Sequence, residues 1–253
     1  MTITERVERL RKQSLAAQPA ISTERAELMT QFYKQSTELM SAPVRRAEAF
    51  RYLLEHKAIH IGEGELIVGE KGPAPKATPT YPELCCHTLA DLDILNNREK
   101  VSFAVTPEAR TTYEETVIPF WQGRSMRDLI FRQMSEGWKA AYEAGIFTEF
   151  MEQRSPGHTV LDDKIYHKGL LEFIRDIDDS IAALNFLADP DAYAKQEELK
   201  AMAICASALI RFAQRHAQEA QDQARAETDP VRKAELERIT QVCTHVPARA
   251  PQD

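Results

Sequence analysis

The sequence predicts a mainly α-helical chain with one short extended segment near residues 64–69. Three observations predict it. Only nine glycines interrupt 253 residues, while the strong helix formers Ala, Glu, Leu, Arg and Gln fill long stretches. Apolar residues recur at three- and four-residue spacing through most of the chain. Strand-like runs do not alternate with helices in the way that would build a parallel sheet.

The elements run in order. Residues 3–17 read as a charged amphipathic helix that ends before Pro19. Ser22 or Thr23 caps a second helix, from Glu24 to about Ser36, with Leu28, Phe32 and Leu39 on its apolar side and Met29 and Tyr33 beside it. Ser41 and Pro43 open a third, since a hydroxyl oxygen accepts from free N–H groups and proline fits the first turn. Val44, Ala47, Phe50 and Leu54 form its stripe. The run from His60 to Gly69, with its glycines and short apolar core, reads as a strand or extended segment. A Pro- and Gly-rich loop continues to Pro82.

Thr88 to Asn97 is a short helix. Thr106-Pro107-Glu108 starts another, with an N-cap, a proline in the first turn and an acid at the positive helix end. It runs towards Trp121 and is interrupted at Pro119. Further helices run from Ser125 to Met134 and from Trp138 to Ala144. Phe147 to Asp163 has no clean period and reads as a loop. Lys168 to Leu187 is helical, with Leu171, Ile174, Ile181 and Leu184 as core positions. Asp189-Pro190 opens the longest helix, whose stripe is Leu199, Met202, Ala206, Leu209, Ala213 and Ala217, turning to alanine towards Arg225. Asp229-Pro230 opens the last, through Leu236, Ile239 and Val242.

Composition excludes several classes. A net charge of -7 argues against a general nucleic-acid surface, which needs a basic excess. The opening residues lack the apolar core of a signal peptide. No apolar run reaches the roughly 20 residues that span a bilayer. A cytoplasmic protein without membrane contact is expected. Cys85, Cys86, Cys205 and Cys243 fit no zinc spacing, so free thiols and no bound metal are expected.

Two segments carry candidate chemistry. Between Glu149 and Asp163 lie Phe150, Arg154, His158, Asp162 and Asp163 around a Pro-Gly turn. A carboxylate can orient a histidine that exchanges a hydrogen bond with a substrate; the same residues also suit a surface turn in which the acids cap the next element. Cys85, Cys86 and His87 place thiols beside an imidazole. Adjacent residues rarely aim at one another, so buried thiols and a satisfied histidine compete with a nucleophile pair. Residue chemistry alone assigns no reaction.

Six strings, taken in order, resemble the N-terminal region of the glycyl radical enzymes related to pyruvate formate-lyase. They are Thr23-Glu-Arg-Ala26, Pro43-Val-Arg-Arg-Ala47, Gly64-Glu-Leu-Ile-Val-Gly69, Pro119-Phe-Trp121, Gly157-His-Thr-Val160 and Cys243-Thr-His-Val-Pro-Ala248. The family also holds formate acetyltransferase-like proteins. The runs GELIVGEKG, PTYPE-x-CCHT, AAYEAG-x-FTEFMEQR and PGHTV look most like its branch acting on trans-4-hydroxy-L-proline. The resemblance implies a partial pyruvate formate-lyase-type N-terminal domain over residues 1–253, drawn from a parent fold that is a ten-stranded α/β barrel. It implies radical C–O lyase chemistry. No cofactor is bound directly; a glycyl radical is installed by an activating enzyme that uses S-adenosylmethionine and an iron–sulfur cluster. On this resemblance Phe150 and His158 line the substrate pocket, Phe150 as an apolar wall and His158 near the departing hydroxyl, and this chain holds no catalytic residue. The Gly-Cys-x-Glu-type and Arg-Val-x-Gly-Tyr-type strings of the radical cysteine and glycine are absent from these 253 residues. The expected partners are the missing C-terminal portion, or an intact homologue if the chain is a helical interaction module. A degraded gene product with exposed apolar faces is the third expectation.

Overall fold

The computed structural model describes residues 3–36, 39–147 and 161–252. The described part is mainly helical, as predicted, and forms two compact units. Among the described residues no helix is long and apolar enough to cross a membrane.

The first unit comprises residues 1–16, 32–75 and 161–253. Its principal helices are α1 (Ile3–Ala16), α3 (Ala42–His56), α9 (Leu170–Ala182), α10 (Ala192–Ala226) and α11 (Pro230–His245). At 35 residues, α10 is about 52 Å long at ~1.5 Å per residue. It forms the spine along which α3, α9 and α11 pack. Its buried face is largely alanine, including Ala201, Ala206, Ala208, Ala217, Ala220 and Ala224. Small side chains let three neighbours approach one helix closely. The predicted stripe is therefore only partly right: Ala206 and Ala217 are buried, whereas Met202 and Leu209 are exposed. One core cluster joins Ile61, Ala220, Ala224, Leu236 and Ile239, with Ile59, Val68 and Cys243 against it.

Arginines close the ends of the elements in this unit. Arg215 donates to Leu54 O at 2.6 Å and Lys57 O at 2.8 Å, satisfying carbonyls that the end of α3 leaves free. Buried Lys57 donates in turn to Glu70 O and Lys71 O. Arg232 donates to Gly62 O and Glu65 O. Arg6 pairs with Glu235.

The second unit comprises residues 17–31 and 76–160. Helix α2 (Glu24–Gln35) begins in it. Strands β1 (Ala20–Ser22) and β2 (Ala77–Pro79) pair in parallel, with Ala20 opposite Ala77. Helices α4 (Leu89–Asn97), α5 (Pro107–Thr112), α6 (Ile118–Trp121), α7 (Met126–Gln133) and α8 (Glu136–Glu143) complete it. Thr88 with Asp91 and Ser125 with Asp128 form reciprocal caps, and Thr106 caps α5. Pro119 has no N–H, and the turn before it widens into a π-helix, Tyr113–Val117, in which Ile118 N bonds Tyr113 O. A π-bulge is one way to carry a helix past such a break.

Several expectations need correction. Residues 64–69 form no strand; Gly64 and Gly69 sit at φ +79° and +116°, which breaks the regular extended path. The observed strands are three residues long, too short for alternation to reveal. Ser41 does not cap α3; its hydroxyl donates to Glu197 at 2.6 Å. Leu39 is not part of the α2 face and stands 94% exposed. Helix α9 ends at Ala182 rather than Leu187 because the Asn185 side chain accepts from the N–H groups of Leu187 and Ala188. The buried positions of α9 are Leu170 and Ile177, and Leu171 faces outwards.

Candidate functional site

The strings singled out in the sequence become physical networks. In the second unit, Arg25 holds Glu83 through both guanidinium nitrogens and donates to Thr80 O at 3.1 Å. Its guanidinium lies 3.9 Å from the Tyr81 ring centroid. Thr30 donates to Ala26 O at 2.6 Å and accepts from Trp121 Nε1 at 2.8 Å. The strings at residues 23–26 and 119–121 are thus joined through Thr30, and the first also clamps residues 80–83. Buried polar groups that satisfy one another fix a single arrangement.

In the first unit, Arg45 donates to Ser36 Oγ at 3.0 Å and lies over the Tyr33 ring. Arg45 is thus a packed side chain rather than the solvated one its Arg-Arg context suggests. Close by in sequence, Ala47 is buried. His245 Nε2 is 2.9 Å from Ala250 O. Pro247 O and Ala248 O accept from the N–H groups of Leu170 and Leu171. Those two acceptors satisfy N–H groups that the start of α9 would otherwise leave open.

The proposed pocket residues Phe150 and His158, and the string 157–160, lie outside the described residues. Residues on either side of them are described. On the N-terminal side, in the second unit, Phe147 packs edge-on against Trp138 at 5.1 Å and near Tyr142 at 5.9 Å. Tyr142 meets Phe131 at 4.8 Å, and Arg127 lies over both rings while donating to Tyr142 Oη at 3.1 Å. On the C-terminal side, in the first unit, Leu161 and Asp162 have φ of +69° and +52°. A single 3₁₀ helix, Asp162–Tyr166, comes next. Asp162 and Asp163 occupy its exposed first turn. Left-handed backbone is costly for non-glycine residues and recurs at functional sites.

The Cys85-Cys86-His87 cluster borders two cavities of about 410 and 480 Å³, within the second unit, that share Arg127. Both cysteines are half-buried and neither is in a disulfide. Burial pushes the Cys86 thiol up to about 11, and the carboxylates of Asp128 and Asp91 add to it. A thiol held protonated is a poor nucleophile. His87 instead packs 6.5 Å from the buried Tyr113 ring. Between the two sequence readings, the geometry favours buried thiols. Burial also raises the Cys205 and Cys243 thiols. Among the described residues no group of His, Cys, Asp and Glu is arranged to hold a metal. Arg127 is a residue that sequence reasoning missed; its spacing from Phe131, one helical turn away, was the available signal.

The family described as pyruvate formate lyase-like matches residues 1–253. A trans-4-hydroxy-L-proline dehydratase of Clostridioides difficile is 48% identical over 248 residues, covering 98% of this chain and 31% of that protein. An isethionate sulfite-lyase of Oleidesulfovibrio alaskensis is 35% identical over 241 residues, covering 90% of this chain and 29% of the other. The solved hydroxyproline dehydratase of Clostridioides difficile, with trans-4-hydroxy-L-proline bound, aligns with a TM-score of 0.94 at 47% identity. That alignment takes in 99% of this chain and 32% of the solved one. The B12-independent glycerol dehydratase of Clostridium butyricum aligns with a TM-score of 0.90 at 30% identity, over 100% of this chain and 32% of that one. The chain thus spans about a third of the length of the curated relatives it matches.

Proposed function

The chain belongs to the pyruvate formate lyase-like family, and we propose that it is the N-terminal part of a radical dehydratase acting on trans-4-hydroxy-L-proline. The observation that carries this reading is the 48% identity, sustained over 98% of the chain, to a trans-4-hydroxy-L-proline dehydratase.

In this reading the chain contributes one wall of the substrate pocket. Phe150 is the apolar face against which the pyrrolidine ring rests, and it keeps water from the ring. His158 meets the 4-hydroxyl. Hydroxide is a poor leaving group, so the C–O bond breaks most readily when the oxygen departs as water. An imidazole at hydrogen-bond distance can supply that proton. The hydrogen-abstracting cysteine and the radical glycine belong to sequence these 253 residues do not contain. The partners are the C-terminal portion of the enzyme and an activating enzyme that uses S-adenosylmethionine and an iron–sulfur cluster. The setting is the cytoplasm under anaerobic conditions.

The test is a fusion in which these 253 residues replace the matching 31% of the Clostridioides difficile dehydratase, activated anaerobically. Dehydration of trans-4-hydroxy-L-proline, monitored by mass spectrometry, is the expected result. Phe150→Ala and His158→Gln should lower kcat/KM, the latter by ~10²-fold or more. A folded fusion that carries the radical yet leaves this substrate untouched refutes the reading.

A further inference from the structure

In the first unit the hydrophobic core opens to the surface. A groove of about 930 Å³ runs between residues 66–68 and one side of α11. Its floor is continuous with the core, since Val68, Ile239 and Cys243 belong to both. Its walls are exposed apolar side chains: Ile67 is 89% exposed, Val231 58%, Leu66 52% and Val242 39%. Val231, Ala234 and Val242 recur along α11 at helical spacing and line the groove. The helix is therefore apolar on two sides. Its inner side carries Leu236 and Ile239 into the core, while on its outer side Val231 and Val242 stand exposed beside residues 66–68.

The groove wall is also held in place. Arg232, on α11, donates to Gly62 O and Glu65 O, which ties the turn before Leu66 to the helix. Glu235 is fixed by Arg6 and Arg232. A contiguous apolar patch with fixed walls marks an interaction surface rather than a loose edge.

We infer that this groove docks the polypeptide that continues beyond this portion in a glycyl radical enzyme, through an apolar segment laid against Ile67 and the outer side of α11. The inference rests on the reading of the chain as part of such an enzyme. Length favours this occupant. The chain keeps the conformation of a solved relative at a TM-score of 0.94 while making up only 32% of it, so about twice as much polypeptide again has to find apolar surface within that molecule. A second copy of this chain is the competing occupant.

The experiment compares the isolated 253-residue chain with its fusion to the remainder of the Clostridioides difficile dehydratase. Ile67→Cys is introduced in both, with Leu187→Cys as the reference, Leu187 being 101% exposed in the same unit. Labelling by a maleimide is measured at each peptide by mass spectrometry, since thiol modification depends on exposure. The expected result is fast labelling at both positions in the isolated chain, and in the fusion roughly tenfold or greater slowing at position 67 but not at 187. Equal labelling at 67 in chain and fusion overturns the inference, and dehydratase activity in that same fusion shows the functional reading standing without it. Protection at 67 in a folded but inactive fusion supports the docking surface while the functional reading fails. Protection at 67 in the isolated chain, with a dimeric mass by light scattering, gives the groove to a second copy and overturns the inference.

Discussion

Replacing Gly169 by alanine should destabilise the chain through space alone. Gly169 precedes α9 with φ of -91°, a value any residue adopts, so backbone strain plays no part. The obstacle is the chain passing over it. A Cβ at this position would stand 2.2 Å from Arg249 Cα and 2.4 Å from Ala248 O, against the ~3.5–4.0 Å at which carbons rest. The backbone at 248–249 has to retreat by roughly 1.3 Å or more to restore that spacing. Retreat stretches the bonds from Leu170 N to Pro247 O, now 2.9 Å, and from Leu171 N to Ala248 O, now 3.1 Å. Two such bonds are worth about 1 kcal/mol each, and overpacking adds about 1–3 kcal/mol. The sum, about 3–5 kcal/mol, corresponds to a fall in Tm of roughly 6–20 °C for a chain of this size. Thermal unfolding monitored by far-UV circular dichroism measures it. Gly137→Ala is the control, because its Cβ would meet nothing nearer than Ser135 Oγ at 4.0 Å, and it should leave Tm level or slightly raised. A Gly169→Ala chain that melts within about 2 °C of the parent refutes the argument.

Three further outcomes are expected of the same structure. Thr30→Val keeps the volume but removes the acceptor for buried Trp121 Nε1, so stability should drop by about 1–3 kcal/mol in urea titration; an unchanged midpoint would mean the indole finds another acceptor. With its thiol raised from 9.0 to about 11, Cys86 should be alkylated by iodoacetamide at pH 8 about 100-fold more slowly than in the unfolded chain, because the thiolate is the reactive form. Peptide mapping during a time course checks this, and equal rates would remove the case against a nucleophile. For Glu235, burial raises the carboxyl, but the hydrogen bonds and charges of Arg6 and Arg232 outweigh it and hold it below 4.5. A depressed folded value contributes stability above the unfolded value, lost as pH falls through the folded one. Stability measured from pH 6 downwards should therefore decline below about 4.5, and Glu235→Gln should flatten that decline. A decline of unchanged steepness in the variant assigns it to other carboxylates.

The sequence by itself determined most helix starts and the identity of the family. Thr106 is read correctly as a cap, and Thr88, Ser125 and Asp229 as the residues that open helices, because the groups they satisfy lie two or three residues away. Pro119 announces its interruption for the same local reason, though not the π form that the interruption takes. The ordered strings at 23–26, 43–47, 119–121 and 243–248 were legible as a resemblance, yet nothing in their spacing showed that Thr30 would join two of them. For the proposed pocket, residue identity at Phe150 and His158 was all the sequence offered, and only Phe147 and Leu161 onwards lie among the described residues. Tertiary structure decided which face of each helix is buried. Met202 and Leu209 lost that contest on α10 to alanines, because three helices crowd one spine and only a small side chain lets them close in. It also turned Ser41 from a cap into a donor to Glu197, 156 residues away. Local hydrogen-bonding needs are written into neighbouring residues; burial depends on partners far along the chain, and they are known only once it has folded.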